Sequence, residues 1–160
     1  MIHGFPPIER FDARILILGS MPSVASLSVQ QYYGHPRNAF WPIISRLLGE
    51  AVATYEDKRR LLLSHRVALW DVVQACEREG SLDSAITSPV PNDIAGFLVS
   101  HPDLKLVCFN GKTASMFYRR YVGLYPGEIR FTELPSTSPA NTMPFERKFE
   151  AFSAAFRLIP

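Results

Sequence analysis

The chain has 160 residues, of which 47% are hydrophobic and 20% charged, enough for one compact domain, residues 1–160, to bury its own core. A formal net charge of +2 at pH 7 and a pI near 8.6 permit a nucleic-acid partner without demanding one. Only two cysteines are present, Cys76 and Cys108, far apart and in apolar settings, which excludes a thiolate-held iron–sulfur cluster or a cysteine zinc site and leaves two buried reduced thiols as the expectation. Residues 1–14, with Pro6 and Pro7, read as an irregular lead-in whose Ile8 and Phe11 are expected to pack against the sheet. The unbroken apolar run Ile15, Leu16, Ile17, Leu18, closed by Gly19, is the pattern of a strand buried on both faces of a parallel sheet. From Phe40 onward, Phe40, Ile43, Ile44, Leu47 and Leu48 recur at helical spacing, with Pro42 tolerated in the first turn. Between strand and helix lies a long segment of Ser, Gln, Tyr, Gly, His and Asn, too long for an ordinary link and so a candidate functional loop.

Further along, residues 55–64 carry a charged segment and Leu61 to Leu63, as expected of a surface helix. Val67, Ala68, Leu69 and Trp70 form a second strand running into Asp71, which places a carboxylate where open α/β sheets bind ligands. Residues 74–91 have no sustained period and two prolines, so they are expected to make an excursion over the sheet edge. Asn92 or Asp93 can cap a helix bearing Ile94, Phe97 and Leu98, which should end before Pro102. A third strand, Leu104 to Phe109, leads through Asn110 and Gly111 into a helix with Ala114, Phe117, Tyr118 and Tyr121 on one side. The fourth strand, residues 128–134, alternates less cleanly, as an edge strand would, and the chain closes on a helix whose Phe145, Phe149, Phe152 and Phe156 make a buried stripe.

Strands alternating with helices argue for an α/β fold with a mainly parallel sheet covered on both faces. Such a topology gathers the polar segments after each strand, residues 20–38, Asp71, residues 110–113 and residues 136–141, at one edge of the sheet. No charged-then-apolar leader opens the sequence and no apolar run reaches the ~20 residues that span a bilayer, so a cytoplasmic protein with no membrane partner is expected.

Five segments in order, GSMPS, YYGHPRNAFW, LWDVV, FNGKTA and STSPAN, resemble the motifs of the uracil-DNA glycosylase superfamily, and most of all its hypoxanthine-DNA glycosylase (DNA-deoxyinosine glycosylase) branch. The resemblance covers residues 11–156. It implies a three-layer α/β/α sandwich with a central four-stranded mainly parallel sheet, no cofactor and no metal. It also implies a DNA partner, double- or single-stranded, carrying a deaminated base that is flipped into a pocket; a monomer is expected. The motifs also depart from the family. Relatives that excise uracil commonly carry Asp or Asn, to orient the attacking water, where this chain has Met21, a thioether that handles water poorly. The position of a base-stabilising His is Ser136, and that of the common intercalating Leu is Ala140.

Glycosidic-bond hydrolysis needs a water held below the sugar and hydrogen bonds to a base that gathers negative charge. Asn38 is the first candidate for the catalytic position, since its amide can both accept and donate, with a helix cap as the alternative. Asp71 is the second, as a water-orienting carboxylate, as an acceptor for a base N–H, or as a partner of loop amides. The resemblance assigns Gly19, Ser20, Met21, Tyr33 and Asn110 to the base pocket, with Tyr33 as a stacking platform in competition with a loop-anchoring role. It assigns Ser23, Gly111, Lys112, Ser136, Ser138 and Asn141, with Thr137 beside them, to DNA phosphates, whereas turn and cap formation is the ordinary use of such residues. The NGKT at residues 110–113 lacks the spacing of a nucleotide-binding P-loop.

Overall fold

The computed structural model describes residues 1–123 and 127–160. In chain order the elements are β1 (Ile2–His3), β2 (Ile15–Gly19), α1 (Val24–Val29), α2 (Phe40–Leu48), α3 (Tyr55–Ser64), β3 (Val67–Asp71), β4 (Val73–Glu77), β5 (Thr87–Pro91), α4 (Ile94–Ser100), β6 (Leu106–Asn110), α5 (Lys112–Tyr121), β7 (Arg130–Leu134) and α6 (Phe145–Phe156). The main sheet runs β3-β2-β6-β7 and every neighbouring pair is parallel, with Ile17 opposite both Leu69 and Cys108.

Side-chain alternation along these strands divides the core in two. Ile15, Ile17, Val67, Leu69, Leu106 and Cys108 face a layer built from α2, α3 and α6, which contributes Phe40, Ile43, Ile44, Leu61, Leu62 and Phe152. Leu16, Leu18, Ala68, Val107 and Phe109 face the opposite layer, where α4 and α5 contribute Ile94, Phe97, Leu98, Ala114, Phe117 and Tyr118. The result is the α/β/α sandwich, and β7 is its edge, with Arg130 and Glu133 exposed. Both cysteines are buried and free; burial pushes the Cys108 thiol up to about 12 and makes it inert.

Three expectations need correction. The long segment after β2 is not all loop, because Ser23 caps a short helix, α1, by accepting from the Ser26 N–H. The excursion after β3 is a hairpin: β4 and β5 pair antiparallel, and β1 adds to β4 to make a second, three-stranded sheet. The lead-in is thus partly ordered as a strand, and while Ile8 is buried and bridges Leu69, Phe11 is 78% exposed and stands outside the core. Hairpin register shifts at β4 explain the missing period.

Parallel register aligns the strand ends that matter. Gly19 pairs with Asp71 and Asn110 with Leu134, so all four loops leave from the same edge. Above it, Phe40 is fully buried at the start of α2, edge-on to Trp41 and Phe152 and stacked on Tyr33 at 4.2 Å. Phe40→Ala is expected to lower unfolding free energy by about 3–5 kcal/mol in urea titrations, with Phe40→Leu costing clearly less. A loss below about 1 kcal/mol for the alanine variant would contradict this packing.

Candidate active site

A cavity of about 520 Å³, within the range of small-ligand sites, opens at the carboxyl edge of the main sheet. Its base is the Gly19–Asp71 strand pair. A Cβ on Gly19 would lie 2.4 Å from Asp71 Oδ1 and 2.9 Å from the Tyr33 hydroxyl, so any side chain there would push both groups away from the strand end over which the glycine lets them close. Asp71 is 4% exposed, its Oδ2 has no hydrogen-bond partner, and its backbone carbonyl accepts from Asn92 Nδ2 at 2.7 Å. Burial first, and then the nearby Asp83 charge, raise the Asp71 carboxyl to about 7, with Arg78 opposing them. The Tyr33 hydroxyl is likewise buried; burial first and then the Asp71 charge raise its pKa above the ordinary phenol value, with the neighbouring Asn110 side chain opposing them.

The loop carrying Tyr33 is fixed by its neighbour. Tyr32 is buried, its hydroxyl donates to the Pro6 carbonyl at 2.9 Å, its amide donates to the Tyr55 hydroxyl, and its carbonyl accepts from the Trp41 indole at 2.7 Å. Tyr32 therefore anchors the loop on the core, while Tyr33, in the left-handed region at φ 52, lines the cavity. Asn38 also lines it, and its Oδ1 accepts from the Phe40 N–H at 2.9 Å at the start of α2. The N-cap of α2 is Ala39, so Asn38 is not the cap itself: it stands one residue earlier, tied to the helix start by this bond while lining the cavity. No described residue accepts from Asn38 Nδ2, and the carbonyl keeps a second lone pair.

Asn110 is held on both sides by a single residue: its Nδ2 donates to Thr137 Oγ1 and its Oδ1 accepts from the Thr137 N–H, both at 3.0 Å. Thr137 is 1% exposed and so turns inward, away from any phosphate, clamping the loop after β7 to the end of β6. In that loop Ser136 Oγ accepts from the Ser138 N–H and Ser138 Oγ from the Ala140 N–H, which leaves both hydroxyl protons free to donate outward. Asn141 is spent on the Ser136 carbonyl and the Met143 N–H. Met21 is 7% exposed, packed in the core with its side facing the cavity, and supplies an apolar wall.

Of the residues expected at the site, Gly19, Ser20, Met21, Ser23, Tyr33, Asn38, Asp71, Asn110, Ser136, Ser138 and Asn141 all line this one cavity. Gly111 and Lys112 do not. Gly111, at φ 98, sits beneath the rim against Ser136, and Lys112 lies in a shallow groove with Arg119, Arg120 and Glu133. Sequence reasoning missed Asp83, which lines the cavity and accepts from Ser20 Oγ at 2.7 Å, because it lies in the hairpin that has no readable period. It also missed Lys148, 4% exposed, whose Nζ donates to the Ser138 and Asn141 carbonyls and fastens the loop to α6. A signal existed there: Lys148 falls one turn before Phe152, on the apolar face.

The sequence profile described as the uracil DNA glycosylase superfamily matches residues 6–159. The chain belongs to that superfamily. It is 40% identical over 158 residues to a protein of Methanosarcina acetivorans named hypoxanthine DNA glycosylase, covering 97% of this chain and 98% of the relative. A protein of the same name from Methanosarcina barkeri is 35% identical over 159 residues, again covering 97% and 98%. The solution NMR structure of a Methanosarcina acetivorans protein, described as a candidate uracil DNA glycosylase, superposes with a TM-score of 0.82 at 39% identity and covers 98% of this chain and 96% of that one.

The raised Asp71 carboxyl has a consequence for stability. Its folded value near 7 lies above the ordinary 3.8, so the folded state holds the proton more tightly than the unfolded chain. That contribution is complete below about pH 4 and is lost as pH rises through 7. Asp71→Asn, neutral throughout, should therefore unfold later in urea than the native chain at pH 8.5, by about 2 to 4 kcal/mol, with the difference shrinking by pH 5. Equal midpoints at both pH values would contradict the burial of an ionising carboxyl.

Proposed function

We propose that this chain is a monofunctional DNA glycosylase that removes hypoxanthine, the base of deoxyinosine, and leaves an abasic site. The observation that carries the reading is the unpartnered, buried Asp71 Oδ2 at the base of the cavity, in a chain 35–40% identical to proteins named for that activity. A buried acceptor with no partner is costly unless a ligand supplies a donor. Hypoxanthine carries a hydrogen on N1 and adenine does not, so an ionised Asp71 accepts from the deaminated base and meets a lone pair on the undamaged one. With its carboxyl titrating near 7, Asp71 is available in that form at neutral pH and above.

The chemistry divides among few groups. The glycosidic bond breaks with its electron pair leaving on the base, the oxygen of water bonds to C1′ of the sugar, and the water's proton ends on the departing base. Asn38 Nδ2 donates where negative charge gathers, or to the attacking water, held in place by the Phe40 amide on its Oδ1. Tyr33, braced by Phe40, offers its ring to the extruded base, a contact typically worth ~1–3 kcal/mol. Among the described residues no lysine lines the cavity, which supports simple hydrolysis over attack by an amine. The Ser136 and Ser138 hydroxyls and Lys112 serve the phosphates flanking the lesion, Ser23, Asn141 and Gly111 shape that rim, and DNA is the partner.

The test is incubation with duplexes carrying hypoxanthine, xanthine, uracil or only normal bases, followed by alkaline cleavage of abasic sites. Cleavage at hypoxanthine above all others is expected; cleavage confined to uracil would replace the substrate, and retention of damaged DNA without cleavage would replace the enzyme with a lesion-binding protein. Asn38→Ala should cut the single-turnover rate by ~10²-fold or more while DNA affinity changes little. A destabilised variant with a near-normal rate would instead leave Asn38 only its place at the start of α2.

A further inference from the structure

The cavity mouth carries a feature that base recognition does not use. Leu82, in the turn between β4 and β5, is 61% exposed and lines the cavity, the one large exposed apolar side chain among the described residues that does so. Single exposed leucines are ordinary on protein surfaces. This one is held between two anchors. Ser81 Oγ accepts from the Val24 N–H at 2.9 Å, and Asp83 Oδ1 accepts from Ser20 Oγ at 2.7 Å. The Leu82 carbonyl also accepts from the Ala85 N–H at 3.0 Å, closing the short turn Asp83–Ala85 behind it. An apolar side chain is therefore fixed at the mouth with little backbone freedom left to lose.

Taking a base out of a duplex leaves a gap in the stack, and proteins that distort DNA commonly fill such gaps with an apolar wedge. The resemblance puts the family's wedge in the loop after β7, but Ala140 there ends in a methyl group, too short to replace a base. We infer that Leu82 is the wedge of this enzyme: it enters the stack from the β4–β5 side of the mouth as the damaged nucleotide turns into the cavity. The inference rests on the glycosylase reading for its substrate, and on geometry alone for its position. It also gives the second sheet a purpose, since that sheet carries the turn to the mouth.

The distinguishing property of a wedge is that it matters only where there is a stack to enter. Leu82→Ala is expected to lower single-turnover excision of hypoxanthine from duplex DNA at least ~10-fold and from a single-stranded oligonucleotide by less than ~2-fold, with Leu82→Met restoring most of the duplex rate. A second readout is 2-aminopurine placed next to the lesion: its fluorescence should rise on binding the native protein and rise far less with Leu82→Ala. Equal loss on single and double strands, or no loss on either, would overturn the wedge, as would a duplex-specific loss in Ala140→Gly that Leu82→Ala does not share. Should the native protein excise nothing, the glycosylase reading fails, and the 2-aminopurine comparison on the bound duplex still decides for or against the wedge.

Discussion

The site depends on one contact, the Asp71 carboxyl lying over the Cα of Gly19 at the paired ends of β2 and β3. Parallel pairing fixes the two residues side by side, and the missing Cβ makes room for an acid where any larger residue would exclude it. The acid is thereby taken out of water, which raises its pKa and leaves one oxygen without a partner. A cost of this kind in a native fold points to a ligand, and the ligand it suits is a base edge bearing an N–H.

Around that contact the loops are braced from behind. Phe40 backs Tyr33, Tyr32 ties the same loop to α3 and the amino-terminal segment, Thr137 clamps Asn110, and Lys148 fastens the loop after β7. At the rim, Asn38 Oδ1, Ser136 Oγ and Ser138 Oγ each take a backbone N–H. What these three residues have left to offer is donors, Asn38 Nδ2 and the serine hydroxyl protons, beside the free acceptor Asp71 Oδ2. Donors are what a departing base and flanking phosphates require.

The main sheet was legible because its strands are buried on both faces, so Ile15 to Leu18 and Leu106 to Phe109 read as continuous apolar runs, and the helices over them show one apolar stripe each. Most of the cavity was legible for the same reason, since parallel strands deliver their following loops to one edge. The hairpin β4–β5 was not, because it is short, shifted in register and half exposed, and no period survives in it. Asp83 and Leu82 were lost with it. Thr137 was expected to face phosphate and faces Asn110 instead, a distinction of side-chain direction that a loop's sequence does not carry. The helix α1 escaped notice because its six residues are too few to show a periodic face.

On the proposed function, Asp71 is an acid held out of water to receive a base N–H. Carbon-detected NMR titration of the Asp71 carboxyl tests this directly, in the free protein and in complex with a non-cleavable deoxyinosine duplex. A midpoint near 7 is expected for the free protein, falling on complex formation as the base N–H stabilises the carboxylate. A free-protein midpoint near the ordinary carboxylate value of 3.8, unmoved by the duplex, would contradict the account.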